Sequence, residues 1–246
     1  MHTGMTLNTT GLASNKTLTC IVIDEDERSI EMIAEYIARV PWLKLVKSYM
    51  GPDKAFEELP KRKKPVDLLF ANIEIEAFQI LDFARLIDQK AAQLILITSY
   101  AEFPPESYGF NAKQMLEKPF NYLRFTQSLT RAMIDRLSEK PYIIVTHDAG
   151  SHSIKVFVHD IVCIEAVLNY IKIHTKTGFV VSGARLSKME ADLEPYGYFK
   201  KANSRYLVSL LYIVKIQWFT VFLSNKMEVR VSDPHQEGWR KYKGGY

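Results

Sequence analysis

Two groups of side chains in this 246-residue chain carry types and spacings suited to chemistry. In the first half, Asp24, Glu25 and Asp26 close one apolar run, Asn72 a second and Thr98 with Ser99 a third, while Lys118 stands before Pro119 after a fourth. Neighbouring carboxylates are the donors a hard cation prefers, and a lysine beside a hydroxyl can neutralise and hydrogen-bond an anion. The plainer assignment is structural: Asp26 or Ser29 could cap a following helix, and Thr98 and Lys118 could be donors at a sheet edge. In the second half, Lys200, Lys201, Asn203, Ser204 and Arg205 fall close together. One segment therefore offers cations for phosphates and fixed donors for base edges. His147, His152 and His159 match no metal-ligand spacing, and no nucleophile–base pair is visible, which argues against an enzyme.

The elements that must position the first group alternate in type. Leu18–Asp24 (LTCIVID) is a near-continuous apolar run of strand length, as burial on both faces requires. In 29–40, Ile30, Ile33, Ala34, Ile37 and Ala38 recur at helical spacing until Pro41. The pattern predicts strand 43–48, helix 52–61, strand 66–72, helix 77–89, strand 93–98, short helix 102–109, strand 112–116 and helix 121–137. Strands separated by helices at this rhythm need right-handed crossovers and build a doubly wound parallel α/β sheet. Ligands bind such sheets beyond the carboxyl ends of the strands, which is where the first group lies.

This set resembles a response-regulator receiver domain from Leu18 to Arg136, most sharply at Glu117-Lys118-Pro119-Phe120. The resemblance implies an acidic pair after the first strand and an aspartate after the third that hold Mg²⁺. It also implies a hydroxyl after the fourth strand and a lysine after the fifth that contact a phosphoryl group. Asp24 and Glu25 take the acidic positions, Thr98 the hydroxyl and Lys118 the lysine, but Asn72 stands where the family has its aspartate. An amide cannot be the nucleophile of acyl-phosphate chemistry. With Asn72 uncharged and Glu25 replacing the usual aspartate, the metal site at Asp24 and Glu25 is weakened, so no cofactor beyond feebly held Mg²⁺ is expected. Glu74 and Glu76 lie further along the strand, past the pocket. The expectation is a pseudo-receiver that works without phosphorylation.

Beyond 137 the period changes to two. Strands are predicted at 142–146, 153–158, 161–165, 170–175 and 179–182, a single helix at 185–193, and strands again at 206–210, 212–217, 219–223 and 228–231. The run 206–224 is long enough to cross a bilayer, but Lys215 in its middle and its β-branched and aromatic content favour strands. DIVCIEAVLNYIKIHTKTG and LSKMEADLEPYGYFKKANSRYLVSLLYIVKI resemble a LytTR-type DNA-binding domain. The resemblance implies contact with double-stranded promoter DNA through Asn169, Tyr170, Lys172, Lys200, Lys201, Asn203, Ser204 and Arg205. The chain departs from that pattern with Asn203 for a histidine, Arg205 for a serine and, in place of an arginine, Asp233, whose carboxylate would repel phosphates. Tyr170, Phe199 and Tyr206 are equally suited to a core.

The resulting plan is a disordered leader 1–17, a receiver-like domain 18–138 and a smaller, mainly β domain 139–246. Charge follows it: residues 1–139 hold 17 Lys and Arg against 19 Asp and Glu, a net −2, and residues 140–246 hold 15 against 9, a net +6. A polyanion would meet the second half. Two cysteines far apart, Cys20 and Cys163, suit a reducing compartment and core thiols rather than a disulfide framework. The expected protein is a cytoplasmic, homodimeric transcription regulator without membrane contact, receiving input from a histidine kinase or other signalling protein. The alternative is a signalling scaffold that binds proteins and no DNA.

Overall fold

The computed structural model describes residues 6–8, 17–72, 85–87, 89–99, 114–137, 139–146 and 153–243. They form two units, one from residues 14–136 and one from 137–246 together with 1–13. The first strand, β1 (Thr6–Asn8), belongs to the second unit.

In the first unit, β2 (Leu18–Asp24), β3 (Leu43–Met50), β4 (Leu68–Asn72), β5 (Leu94–Thr98) and β6 (Gln114–Glu117) make one parallel sheet in the order β3-β2-β4-β5-β6. The strand order reverses between β2 and β4, so the ends of these two strands, Asp24 and Asn72, flank the switch point. Every residue of β4 and β5 is buried, which is why their sequences are continuously apolar. Ile21, Ile23, Leu69 and Ala71 pack with Ala55 of the helix Pro52–Glu58. Elsewhere in the core Phe70 stacks on Phe125 of the helix Tyr122–Asp135, at 5.4 Å between ring centroids, and Tyr36 of the helix Glu27–Ala38 meets the same ring. Asp26 and Asn121 cap these last two helices through their side chains. The helix expected at 102–109, most of that at 77–89, and Glu74 and Glu76 lie outside the described residues.

The second unit is built on three antiparallel sheets. β1 pairs with β7 (Tyr142–Thr146), which pairs with β8 (Ser153–Phe157). β9 (Ile161–Val167), β10 (Tyr170–Thr175), β11 (Gly178–Ser182), β12 (Phe199–Lys201) and β13 (Tyr206–Ser209) form a five-stranded sheet in the order β11-β10-β9-β13-β12. β14 (Ile213–Gln217), β15 (Thr220–Leu223) and β16 (Glu228–Arg230) form the third sheet. The run 206–224 is thus strands, and no helix among the described residues is long and apolar enough to cross a membrane.

Two expectations are corrected. The leader is not wholly without structure, because Thr6–Asn8 adds a strand to the edge of β7 and satisfies its backbone groups. The helix Leu186–Leu193 is joined by a second, Asp233–Arg240, which starts with Ser232 as N-cap and Pro234 in its first turn. Asp233, expected to repel phosphates after a last strand, occupies the first turn of that helix, where the macrodipole favours a carboxylate. Both cysteines are buried free thiols, as expected, and burial pushes the thiol pKa of each up to about 12.

Candidate functional site

At the switch point the structure brings Asp24, Asn72 and Lys118 together as buried or half-buried groups, and Thr98, buried at the end of β5, accepts the Lys118 N–H through its carbonyl at 2.8 Å. The Asp24 carboxylate has no solvent exposure and takes up four donors. Lys118 Nζ and the Ser29 hydroxyl each donate to Oδ2 at 2.7 Å, while the Asp26 N–H and Asn72 Nδ2 each donate to Oδ1 at 3.1 Å. Burial pushes this carboxyl upward, and the hydrogen bonds from Lys118, Ser29, Asp26 and Asn72 outweigh it, so its pKa lies below the ordinary value.

Ser29 is therefore not the helix cap, a role Asp26 fills by accepting from the Arg28 N–H; Ser29 is a partner of Asp24 that sequence reasoning missed. Asn72 is oriented by the same arrangement. Turning its amide over would set an oxygen against Asp24 Oδ1, so the amide nitrogen faces the carboxylate. Its own Oδ1 is buried with no hydrogen-bond partner among the described residues.

Glu25 does not join them. It is exposed, and it lies over Gly51, whose φ of +82° and N–H donated to the Asp24 carbonyl at 3.0 Å turn the chain from β3 into the next helix. An Mg²⁺ ion needs free carboxylate lone pairs, and Asp24 has given its own to four donors. Among the described residues no three His, Cys, Asp or Glu side chains converge. The residues present do not fit the metal that the receiver resemblance implies. Beside Lys118 an open cleft of about 440 Å³ is lined by Arg28, Ser29, Met32, Ser99 and Phe120.

In the second unit three segments converge on one end. The β9–β10 tip carries Leu168 and Asn169, both exposed. Next to it, the loop 202–205 is tied to β9 by the Ala166 N–H donating to the Arg205 carbonyl at 2.8 Å. The stretch 230–232 is tied to that loop by Asn203 Nδ2 donating to the Arg230 carbonyl at 2.7 Å and the Ser232 N–H donating to the Ala202 carbonyl at 2.9 Å.

The candidate DNA-contacting residues gather here with mixed fates. Asn169 and Ser204 are exposed, and Tyr170 and Lys172 are half-buried, with Lys172 Nζ 5.3 Å from the Phe179 ring centroid. Asn203 is not a free base reader, since its Oδ1 also accepts from the backbone N–H groups of Arg205 and Tyr206. Lys201 pairs with Glu190 at 2.5 Å, and the exposed Arg205 pairs with Glu165 at 3.3 Å. Lys200 is half-buried near Tyr242, and burial, with Lys241 nearby, lowers its pKa.

Glu165, not among the candidates read from the sequence, is the carboxylate that ties this end together. It is 15% exposed and gathers the Tyr206 hydroxyl at 2.6 Å, His174 Nε2 at 3.2 Å and Arg205. Burial pushes its pKa up, but these hydrogen bonds and charges bring it below the ordinary value. The signal was an acidic residue inside an aliphatic strand, where a carboxylate must find donors. Phe199, Tyr170 and Tyr206 are all half-buried, between the core and surface assignments. Of the three histidines, only His159 lies within the described residues.

Comparisons with known proteins fall on both units. Residues 151–243 match the family model described as the LytTr DNA-binding domain. The chain is 22% identical over 239 residues to the sensory transduction protein LytT of Enterococcus faecalis (strain ATCC 700802 / V583), covering 91% of this chain and 98% of that one. Among solved structures, a LytTr DNA-binding domain from Bacillus cereus aligns at 18% identity and a TM-score of 0.36, covering 42% of this chain and 96% of that one. The response regulatory domain of protein mrkE from Klebsiella pneumoniae aligns at 20% identity and 0.39, covering 47% and 94%.

Proposed function

We infer that this chain, a receiver-like unit followed by a LytTR unit, is a DNA-binding transcriptional response regulator whose first unit works without phosphoryl transfer. The match of 151–243 to the LytTr DNA-binding domain carries the DNA-binding part. Selection from a random-sequence duplex pool by the full chain tests it: enrichment of one sequence class is expected, and failure to enrich any duplex at low salt would favour the protein-binding scaffold instead. In this reading the chain is not an enzyme, acts in the cytoplasm as a homodimer on promoter DNA, and takes its input from a histidine kinase or another signalling protein. Sedimentation velocity over a concentration series reads the dimer.

The phosphorylation-independent part is supported by Asn72, which offers a donor to Asp24 where a nucleophile would be needed. Treatment of the full chain with acetyl phosphate and Mg²⁺ should leave its intact mass unchanged. An acid-labile phosphoryl adduct on the first unit would overturn the reading. Asn72→Asp restores a carboxylate but leaves Glu25, so its phosphoryl uptake is expected to be partial. It also sets two carboxylates together, so this variant should melt lower in chelator and recover with Mg²⁺, while the parent chain ignores the ion.

Arg205 is proposed as a DNA contact that Glu165 holds in the unbound protein. Glu165→Gln removes the charge and keeps an acceptor for the Tyr206 hydroxyl. The variant should bind all duplexes several-fold more tightly, with a salt dependence steeper by about one unit of slope. Unchanged affinity with lowered thermal stability would make Arg205 a prop of the fold and remove it from the interface.

A further inference from the structure

The tip of the β14–β15 hairpin is formed by Trp218 and Phe219, with φ of 49° and 60°. Two successive left-handed residues define the tight hairpin turn that Asn-Gly fills without strain, and aromatic side chains are poor occupants of it. Packing inside the unit does not compensate at Trp218, because the residue is 84% exposed. The tip at the other end of β15 has the expected chemistry, with Asn225 and the left-handed Lys226.

The aromatic tip lies at the end of the unit where the candidate interface converges. Thr220 pairs with Arg230, the Val231 N–H donates to the Phe219 carbonyl at 2.7 Å, and the Arg230 carbonyl accepts from Asn203. Two cations stand beside it: Lys243 Nζ is 3.7 Å from the Phe219 ring centroid, and Arg230 is exposed. Of the carboxylates at this end among the described residues, Glu165 is paired with Arg205 and Asp233 accepts from Gln236 in the first turn of its helix. A second exposed apolar residue in the left-handed region, Leu168, 97% exposed with φ of 51°, tips the neighbouring β9–β10 hairpin.

We propose that Trp218 is an apolar DNA-contact residue, pressed onto the duplex between the cations of Lys243 and Arg230 and the loop 202–205. Apolar side chains at a DNA surface pack on base steps, sugars or thymine methyls, and cations beside them meet the phosphates. The proposal rests on the DNA-binding reading, and the test separates the two failures. The probe is the duplex enriched by the parent full-length chain, which must bind it first; a parent chain that enriches nothing overturns the DNA-binding reading and this proposal with it.

On that duplex, Trp218→Ala and Trp218→Asn should each lose at least tenfold in affinity with the salt slope unchanged, because no charge is removed. Trp218→Phe should recover part of the loss, and Lys243→Ala should lower the slope by about one unit. Asn accepts the left-handed conformation, so Trp218→Asn should melt no lower than the parent while binding worse. That split excludes a merely structural role. Affinity within twofold of the parent for Trp218→Ala overturns the proposal. So does a melting point that falls in step with affinity in both variants, or lost self-association with DNA binding intact, which would assign the tip to contact between copies of the chain.

Discussion

Replacing Asp24 by alanine should cost the first unit about 3–5 kcal/mol, the range for breaking a buried charge pair by removing one partner. The fully buried carboxylate joins the end of β2 to Lys118 after β6, to Ser29 in the helix Glu27–Ala38 and to Asn72 at the end of β4. Removing it leaves an ammonium, a hydroxyl and an amide facing a cavity. Amide hydrogen exchange of β2 and β4 in the full chain reads the loss separately from the second unit. Adding Lys118→Met to the variant should recover part of it, because the stranded cation is then gone.

The pH dependence has a definite sign. Asp24 has a folded pKa below its unfolded value, so its contribution is fully present above the unfolded pKa and is lost as pH falls through the folded one. The parent chain should therefore lose first-unit stability on acidification more steeply than Asp24→Ala. A loss under about 1 kcal/mol, or equal acid slopes, would mean that the network does not hold the strand ends.

Trp239→Ala should cost the second unit a comparable amount, about 3–5 kcal/mol, the range for truncating a buried tryptophan. The ring is 1% exposed, meets Tyr242 edge-on at 6.4 Å between centroids, and donates its Nε1–H to the Lys201 carbonyl at 2.8 Å. That bond fastens the helix Asp233–Arg240 to β12, which carries Lys200 and Lys201 into the loop 202–205. Affinity for all duplexes should therefore fall together with protection of the β12 amides, whereas Trp239→Phe should keep most of the packing and lose about 1 kcal/mol for the bond. Intact β12 protection in Trp239→Ala would show that the helix does not support the loop.

The alternating strands and helices of the first unit were legible because a strand buried on both faces has no choice but to be apolar throughout, as β4 and β5 are. The strand ends were legible for the same reason, since Asp24, Asn72 and Thr98 each interrupt such a run. What those residues do to one another was not. Nothing in a linear reading says that Ser29 turns its hydroxyl back to Asp24, or that Asn72 presents its nitrogen there.

The helix Asp233–Arg240 escaped because its interior face is a single tryptophan and Gly238 lies within it, leaving no apolar period to detect. Its start signal, Ser232-Asp233-Pro234, was present. In the basic segment, counting charges overstated what is free. Lys201 and Arg205 have carboxylate partners, Glu190 on the helix Leu186–Leu193 and Glu165 on β9, and only the folded unit brings them within reach.

The pairing of Thr6 with Ile144 gives the chain an order of assembly. β1 is synthesised ahead of the first unit, and the whole first unit is made before the strand β1 must join. The sheet of β1, β7 and β8 closes only when the two ends of that long insertion meet, a late and entropically costly closure. Until then Tyr142–Thr146, a run of β-formers, presents an open edge to any other nascent chain, including a second copy whose own Thr6–Asn8 fits it equally well. A chain whose synthesis began beyond Asn8 would keep that edge open for good.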